Sequence, residues 1–241
     1  ILAALVAILT LTTAPAMAGT AGGPPGQALQ DVLNDITIDP VGASSVDVTK
    51  DYLPDYGDSY WDITASGGSV CTLIIELAGF APNNKFGVYD SSSSAFVQIF
   101  GGSASQGAMA TLALKADGRV FLNGSDTGSV FQGDSFGYYV DSTYYTDGGL
   151  WYSDTDMNAD GYDHMYAYRG TGTDTIQIDD WDPGLWAANE YVLAFEDLKA
   201  SVADWDYTDF VVMVESVTPV PVPGAVLLGV LGLGAAGMRL R

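Results

Sequence analysis

From Val32 onward the chain alternates short apolar, β-branched and aromatic runs with turn residues, a rhythm that predicts many short strands and little helix. The runs place strands at Ser45 to Val48, Tyr60 to Thr64, Ser69 to Leu77, Lys85 to Tyr89, Phe96 to Phe100 and Ala108 to Leu114. Further runs follow at Arg119 to Leu122, Phe136 to Val140, His164 to Tyr168, Thr175 to Ile178, Tyr191 to Phe195 and Phe210 to Val217. Turn signals separate them, among them Gly67-Gly68, Pro82-Asn83-Asn84, Gly101-Gly102 and Asp147-Gly148. The clearest hairpin is Thr111 to Leu114, then Asp117-Gly118, then Arg119 to Leu122, where Asp-Gly supplies the positive φ angles of a two-residue turn. The expected fold is all-β: an antiparallel β-sandwich, jelly-roll-like, over residues 32–218. Ahead of it, residues 19–31, with Pro24-Pro25-Gly26, read as a flexible leader.

The two ends follow a different pattern. Ile1 to Leu11 is an apolar run, and Ala16-Met17-Ala18 is a small-x-small site for signal-peptidase cleavage before Gly19, so residues 1–18 read as a signal helix. No initiator Met precedes Ile1, so a few N-terminal residues are expected to be missing. At the other end, residues 219–241 hold Pro221-Val222-Pro223, the Gly-rich apolar run Gly224 to Met238, and the cations Arg239 and Arg241. That run is shorter than the ~20 residues a helix needs to cross a bilayer core. Its flanking cations would stay on the cytoplasmic side, which fits transient inner-membrane anchoring followed by removal. An ordinary tail anchor is the alternative.

These ends resemble the PEP-CTERM proteins of Gram-negative bacteria, which are exported and handled by an exosortase at a Pro-Glu-Pro step before a short hydrophobic helix and a basic tail. Val222 stands here where that pattern has Glu. The resemblance implies export to the cell envelope or beyond, with an exosortase-type processing enzyme as partner.

Charge narrows the partners. Lys and Arg number 8 against 30 Asp and Glu, a formal net charge of −22. Such a surface repels nucleic acid and anionic lipid and attracts cations. Cys71 is the one cysteine, set inside an apolar run, so no intramolecular disulfide can staple the fold and the thiol is expected to be buried and inert. A bound Ca2+ ion is an attractive stabiliser for such a domain.

The acids are unevenly spread, with 16 of the 30 between Asp141 and Asp209. Asp156-Met157-Asn158-Ala159-Asp160-Gly161 matches the opening of a D-x-[DN]-x-[DN]-G calcium loop, with Asp154 extending the alternation and Asp163 following it. The twelfth position, where an EF-hand carries a bidentate Glu, is Ala167, and neither flank reads as helix. An isolated loop completed by a distant carboxylate, or a solvated turn, are the two readings left. A second group, Glu196, Asp197, Asp204, Asp206 and Asp209, lies between two predicted strands. Carboxylates so placed repel one another unless a cation neutralises them. His164, the only histidine, is expected to neighbour the loop or to order Asp163; zinc lacks a second nitrogen ligand.

Phe136 to Asp141, Trp151 to Asp154, Asn158 to Met165, Tyr191 to Leu198 and Asp206 to Val211 together are similar to domain of unknown function 4114, a module of secreted bacterial proteins. The resemblance covers about residues 136–217 and implies a β-sandwich in a surface or matrix protein, with no established reaction. The leading expectation is therefore a non-enzymatic, calcium-stabilised surface or extracellular-matrix protein associated with exopolysaccharide or biofilm. A carbohydrate-binding module, with Trp151, Tyr152, Trp181, Trp186 and Trp205 as candidate stacking platforms, is the alternative. A glycoside hydrolase using two of the many carboxylates is a third reading.

Overall fold

The computed structural model describes residues 23–75 and 83–220, without the side chains of Leu73 and Ile75. The cleavage-site residues Ala16 and Ala18 and the sorting residues Pro221, Val222, Pro223, Arg239 and Arg241 lie outside the described residues.

The elements run α1 (Gln27–Ile36), β1 (Thr37–Asp39), β2 (Tyr60–Ile63), β3 (Ser69–Ile75), β4 (Lys85–Asp90), β5 (Phe96–Gly101), β6 (Met109–Leu114), β7 (Arg119–Leu122) and β8 (Ser125–Val130). They continue with β9 (Phe136–Asp141), β10 (Leu150–Tyr152), β11 (Met165–Arg169), β12 (Thr175–Ile176), β13 (Gly184–Leu185), β14 (Glu190–Phe195), β15 (Phe210–Glu215) and β16 (Val217–Val220). All described strand pairings are antiparallel. A six-stranded sheet has the order β16-β2-β9-β4-β5, with β10 on β9; a seven-stranded sheet has the order β11-β14-β15-β3-β6-β7-β8; β1, β12 and β13 form a small third sheet.

The two large sheets share one core. Trp61, Phe86, Val88, Phe136, Tyr138 and Val140 from the first meet Cys71, Leu112, Tyr191, Leu193, Phe195, Phe210, Val212 and Val214 from the second. Phe86 lies 5.2 Å from the Phe210 ring and 6.0 Å from Phe195, and Trp61 lies 4.9 Å from Tyr191, centroid to centroid. These residues alternate along their strands, as a sheet with one core-facing side requires. The opposite face of the seven-stranded sheet is covered too: Tyr166, Tyr168, Val192, Ala194, Val211 and Met213 pack beneath Leu29, Leu33, Ile36, Ile176, Ile178 and Trp186. Burial on both faces explains why β14 and β15 are apolar without alternation.

The helix α1 corrects the reading of residues 19–31 as a wholly flexible leader. Leu29, Val32, Leu33 and Ile36 recur at the i, i+3, i+4, i+7 spacing of one helical face and are all buried. Ser45 to Val48, expected as a strand, is instead an irregular segment held by a side chain. The Gln30 amide donates to the Val46 carbonyl at 3.0 Å and accepts from the Val48 N–H at 3.1 Å, as a neighbouring strand would. The expected two-residue hairpin turn is also longer: Gly118 N–H bonds the Lys115 carbonyl at 2.8 Å, and Gly118 alone at this turn has positive φ, at 80°. This is the three-residue loop with glycine in the left-handed position. The run Phe210 to Val217 breaks at Ser216, whose φ of 59° carries the chain from β15 in one sheet to β16 in the other.

Candidate metal centre

β14 and β15 are antiparallel neighbours whose final register pair is Phe195 with Phe210. Glu196 and Asp209, the next residues outward, are therefore brought opposite each other at the sheet's end. The connecting segment is pinned by Trp205 and Tyr207, both buried and both at positive φ, 59° and 56°. Such a backbone costs on the order of 1–3 kcal/mol per bulky residue, offset here by aromatic burial. Asp204, next to the anchored Trp205, is exposed.

Glu196, Asp204 and Asp209 each offer a carboxylate oxygen, and these atoms lie within 4.8 Å of one another. No cationic side chain joins them: among the described residues, none of the ion pairs involves Glu196, Asp197, Asp204, Asp206 or Asp209. Burial, then Asp204, pushes the Glu196 carboxyl up to about 8. Burial and the neighbouring acids also hold Asp209 well above the carboxylate range and push Asp197 up to about 6, while partial desolvation and then Asp206 raise the more open Asp204. This is a cluster whose ionised form lacks a cationic partner.

Backbone donors hold the acids in place. Glu196 accepts from Leu198 N–H at 3.2 Å and Trp205 N–H at 2.9 Å, and Asp209 accepts from Asp197 N–H at 3.0 Å. Asp206 spends one oxygen on Thr208, at 2.9 Å to its N–H and 2.8 Å to its hydroxyl. Asp197 accepts from the Asn84 amide at 2.7 Å, while the buried Asn84 Oδ1 has no hydrogen-bond partner. An all-oxygen donor set on an irregular loop suits a hard cation, calcium more than magnesium, which demands near-ideal octahedral geometry.

The residues of the D-x-[DN]-x-[DN]-G stretch are spent differently. Asp154 accepts from the Tyr60 hydroxyl at 2.5 Å and from Asp156 N–H at 3.2 Å, capping the short 3-10 turn Thr155–Met157 on which Asp156 is exposed. The Asn158 side chain closes its own loop through Tyr152 N–H, Tyr152 carbonyl and Tyr162 carbonyl. Asp160 faces His164 and accepts from Ala200 N–H at 2.9 Å. Asp163 accepts from Met165 N–H at 3.1 Å and interacts with Asp55 and the buried Asp58. Among the described residues, these acids do not form a three-carboxylate group of the kind that Glu196, Asp204 and Asp209 make.

His164 is a structural tie. Its ring stacks on Trp151 with centroids 3.8 Å apart, Nδ1 meets the Glu196 carbonyl at 3.0 Å, and Nε2 lies 3.2 Å from both Asp160 oxygens. Of the two roles expected for it, it takes that of a neighbour of the acidic loop, and the carboxylate it meets is Asp160 and not Asp163. Asp58 and Asn84 escaped the sequence reading because neither stands in an acidic run with its partner; Asn84 and Asp197 are 113 positions apart.

No protein-family model, curated protein or solved structure matches this chain. No helix among the described residues is long and apolar enough to cross a membrane.

Proposed function

We propose that the chain is an exported, non-enzymatic protein of the cell surface or extracellular matrix, associated with exopolysaccharide or biofilm and stabilised by calcium at Glu196, Asp204 and Asp209. On this reading the two facing sheets form a jelly-roll-like sandwich. The membrane-sorting tail is processed by an exosortase-type enzyme, as the resemblance at the chain ends implies. The observation that carries the calcium assignment is the convergence of three carboxylates within 4.8 Å without a cationic side chain. A divalent cation relieves that repulsion and ties the β14–β15 connection to the sheet end.

The non-enzymatic reading draws on the side chains best suited to nucleophilic or acid–base work. Cys71 is fully buried and its thiol is pushed up to about 12 by burial. Both His164 nitrogens face acceptor oxygens inside the fold, the Glu196 carbonyl and the Asp160 carboxylate. Isothermal titration of the full chain with calcium tests the assignment: one strong site, lost in Asp204→Ala and Asp209→Asn, is expected. Equal calcium binding by wild type and both variants would sink it.

A further inference from the structure

Trp181 stands apart from the other tryptophans. Trp61, Trp151, Trp186 and Trp205 are at most 3 % exposed, whereas Trp181 is 52 % exposed. It is also held still. Its indole N–H donates to the Gly107 carbonyl at 2.8 Å, its backbone N–H to Ile178 at 3.2 Å, and Gln177 donates to its carbonyl at 2.9 Å. A large aromatic ring fixed by its edge and open on its surface is a ready platform, because its ordering cost has already been met.

The ring borders two hollows of about 350 and 340 Å³. Each falls in the ~300–1,000 Å³ range of small-molecule sites. The floor of the larger is the outer face of the seven-stranded sheet, where Met213, Thr72 and Met109 are successive cross-strand partners. Loop 177–183 and β13 form its wall. Five carboxylates line the pair of hollows: Asp182, Glu190 and Glu215 in one, Asp179 and Asp180 in the other; no Lys, Arg or His lines either. Glu190 and Glu215 are direct cross-strand partners, a like-charge pairing that destabilises a sheet unless something positive lies beside it.

We propose that this surface binds an amine-bearing polysaccharide, with a protonated amino-sugar unit stacked on Trp181 and its ammonium groups held by the carboxylates on either side. The apolar face of a sugar ring covers the indole and the methionine floor, and the ammonium gains from both the aromatic face and the acids. Carboxylates on both sides of the ring fit a polymer that carries a charge on successive units. The choice of a polysaccharide over a basic peptide rests on the matrix-protein reading; the position and charge of the site do not depend on calcium.

The test is titration calorimetry on the full chain at about 0.15 M salt, where long-range attraction to the acidic surface is screened, and at mildly acidic pH. The probes are a glucosamine tetramer, an N-acetylglucosamine tetramer and tetralysine. The glucosamine tetramer is expected to bind at least about tenfold more tightly than either other probe, a gap of about 1.4 kcal/mol. Trp181→Ala, which leaves the net charge unchanged, and Glu215→Gln should each lose tenfold or more, while Tyr144→Ala, on an exposed aromatic elsewhere, loses nothing. Asp204→Ala should keep the affinity, which separates this site from the calcium reading. Equal binding of the acetylated tetramer, equal or tighter binding of tetralysine, or unchanged affinity in folded Trp181→Ala would each overturn the proposal.

Discussion

The Asp160 carboxylate places both oxygens 3.2 Å from Nε2 of His164, and the other ring nitrogen meets the Glu196 carbonyl at 3.0 Å. One buried ring thus links the acidic loop after β10 to the end of β14. Burial raises the Asp160 carboxyl, but the Ala200 N–H, His164 and the Tyr162 N–H outweigh it and hold it below the usual range. Asp160 is therefore a structural acceptor. Asp160→Ala leaves the Ala200 and Tyr162 N–H groups without their acceptor, removes the oxygens facing Nε2 of His164, and should cost about 1–3 kcal/mol of stability. Denaturant unfolding should show that loss equally in calcium and in chelator; a loss seen only in calcium would make Asp160 an ion ligand.

Asp58 and Asp163 form a second uncompensated pair. Burial and then Asp163 hold Asp58 well above the carboxylate range, and burial pushes Asp163 up to about 7. Folded-state values raised above the unfolded ones stabilise the protein where the acids bind protons natively. That contribution is complete below about pH 4, the unfolded value, and is lost as pH rises through about 7 for Asp163 and through the raised folded-state value of Asp58. Asp58→Asn imitates the neutral acid. In chelator its melting temperature should exceed that of wild type by a few degrees at pH 8 and match it near pH 4; a pH-independent difference would rule out the shared-charge explanation.

The helix α1 is integral to the second core. Leu33 has no exposed surface and packs above the outer face of the seven-stranded sheet. Leu33→Ala should destabilise the domain by about 2–5 kcal/mol in equilibrium denaturation. A change under about 0.5 kcal/mol, the range of ordinary surface substitutions, would return this segment to the status of a leader.

The strands that the sequence revealed are those with β-branched and aromatic runs between turns, because burial on a pleated face selects those residues. β8 was not legible: Ser125–Val130 is a polar edge strand, almost wholly exposed, with no core face to pattern it. The amphipathic face of α1 was present in the spacing of Leu29, Val32, Leu33 and Ile36 but was obscured by the adjacent Pro24-Pro25-Gly26. The break at Ser216 could not be seen, since a positive φ at serine has no residue signature. At the site, Glu196, Asp204 and Asp209 were legible as a group because two apolar strands bracket them and antiparallel pairing closes the bracket. The spacing from Asp154 to Asp163 fixes which residues are near, not what their oxygens accept. Asn158 and Asp160 turned inward to backbone and histidine donors.

Thermal unfolding of the full chain in calcium and in chelator, at low ionic strength, bears most directly on the calcium-stabilised reading. At free calcium about 100-fold above the dissociation constant, an ion bound only to the native state adds about 2.7 kcal/mol. Each kcal/mol moves the melting temperature of a domain this size by roughly 2–4 °C. The expected result is a melting temperature several degrees higher in calcium, a gain removed by Asp204→Ala and by Asp209→Asn but kept by Asp117→Ala. Identical melting of the wild-type chain in calcium and in chelator would contradict the account and leave Glu196, Asp204 and Asp209 a cluster that protons alone neutralise.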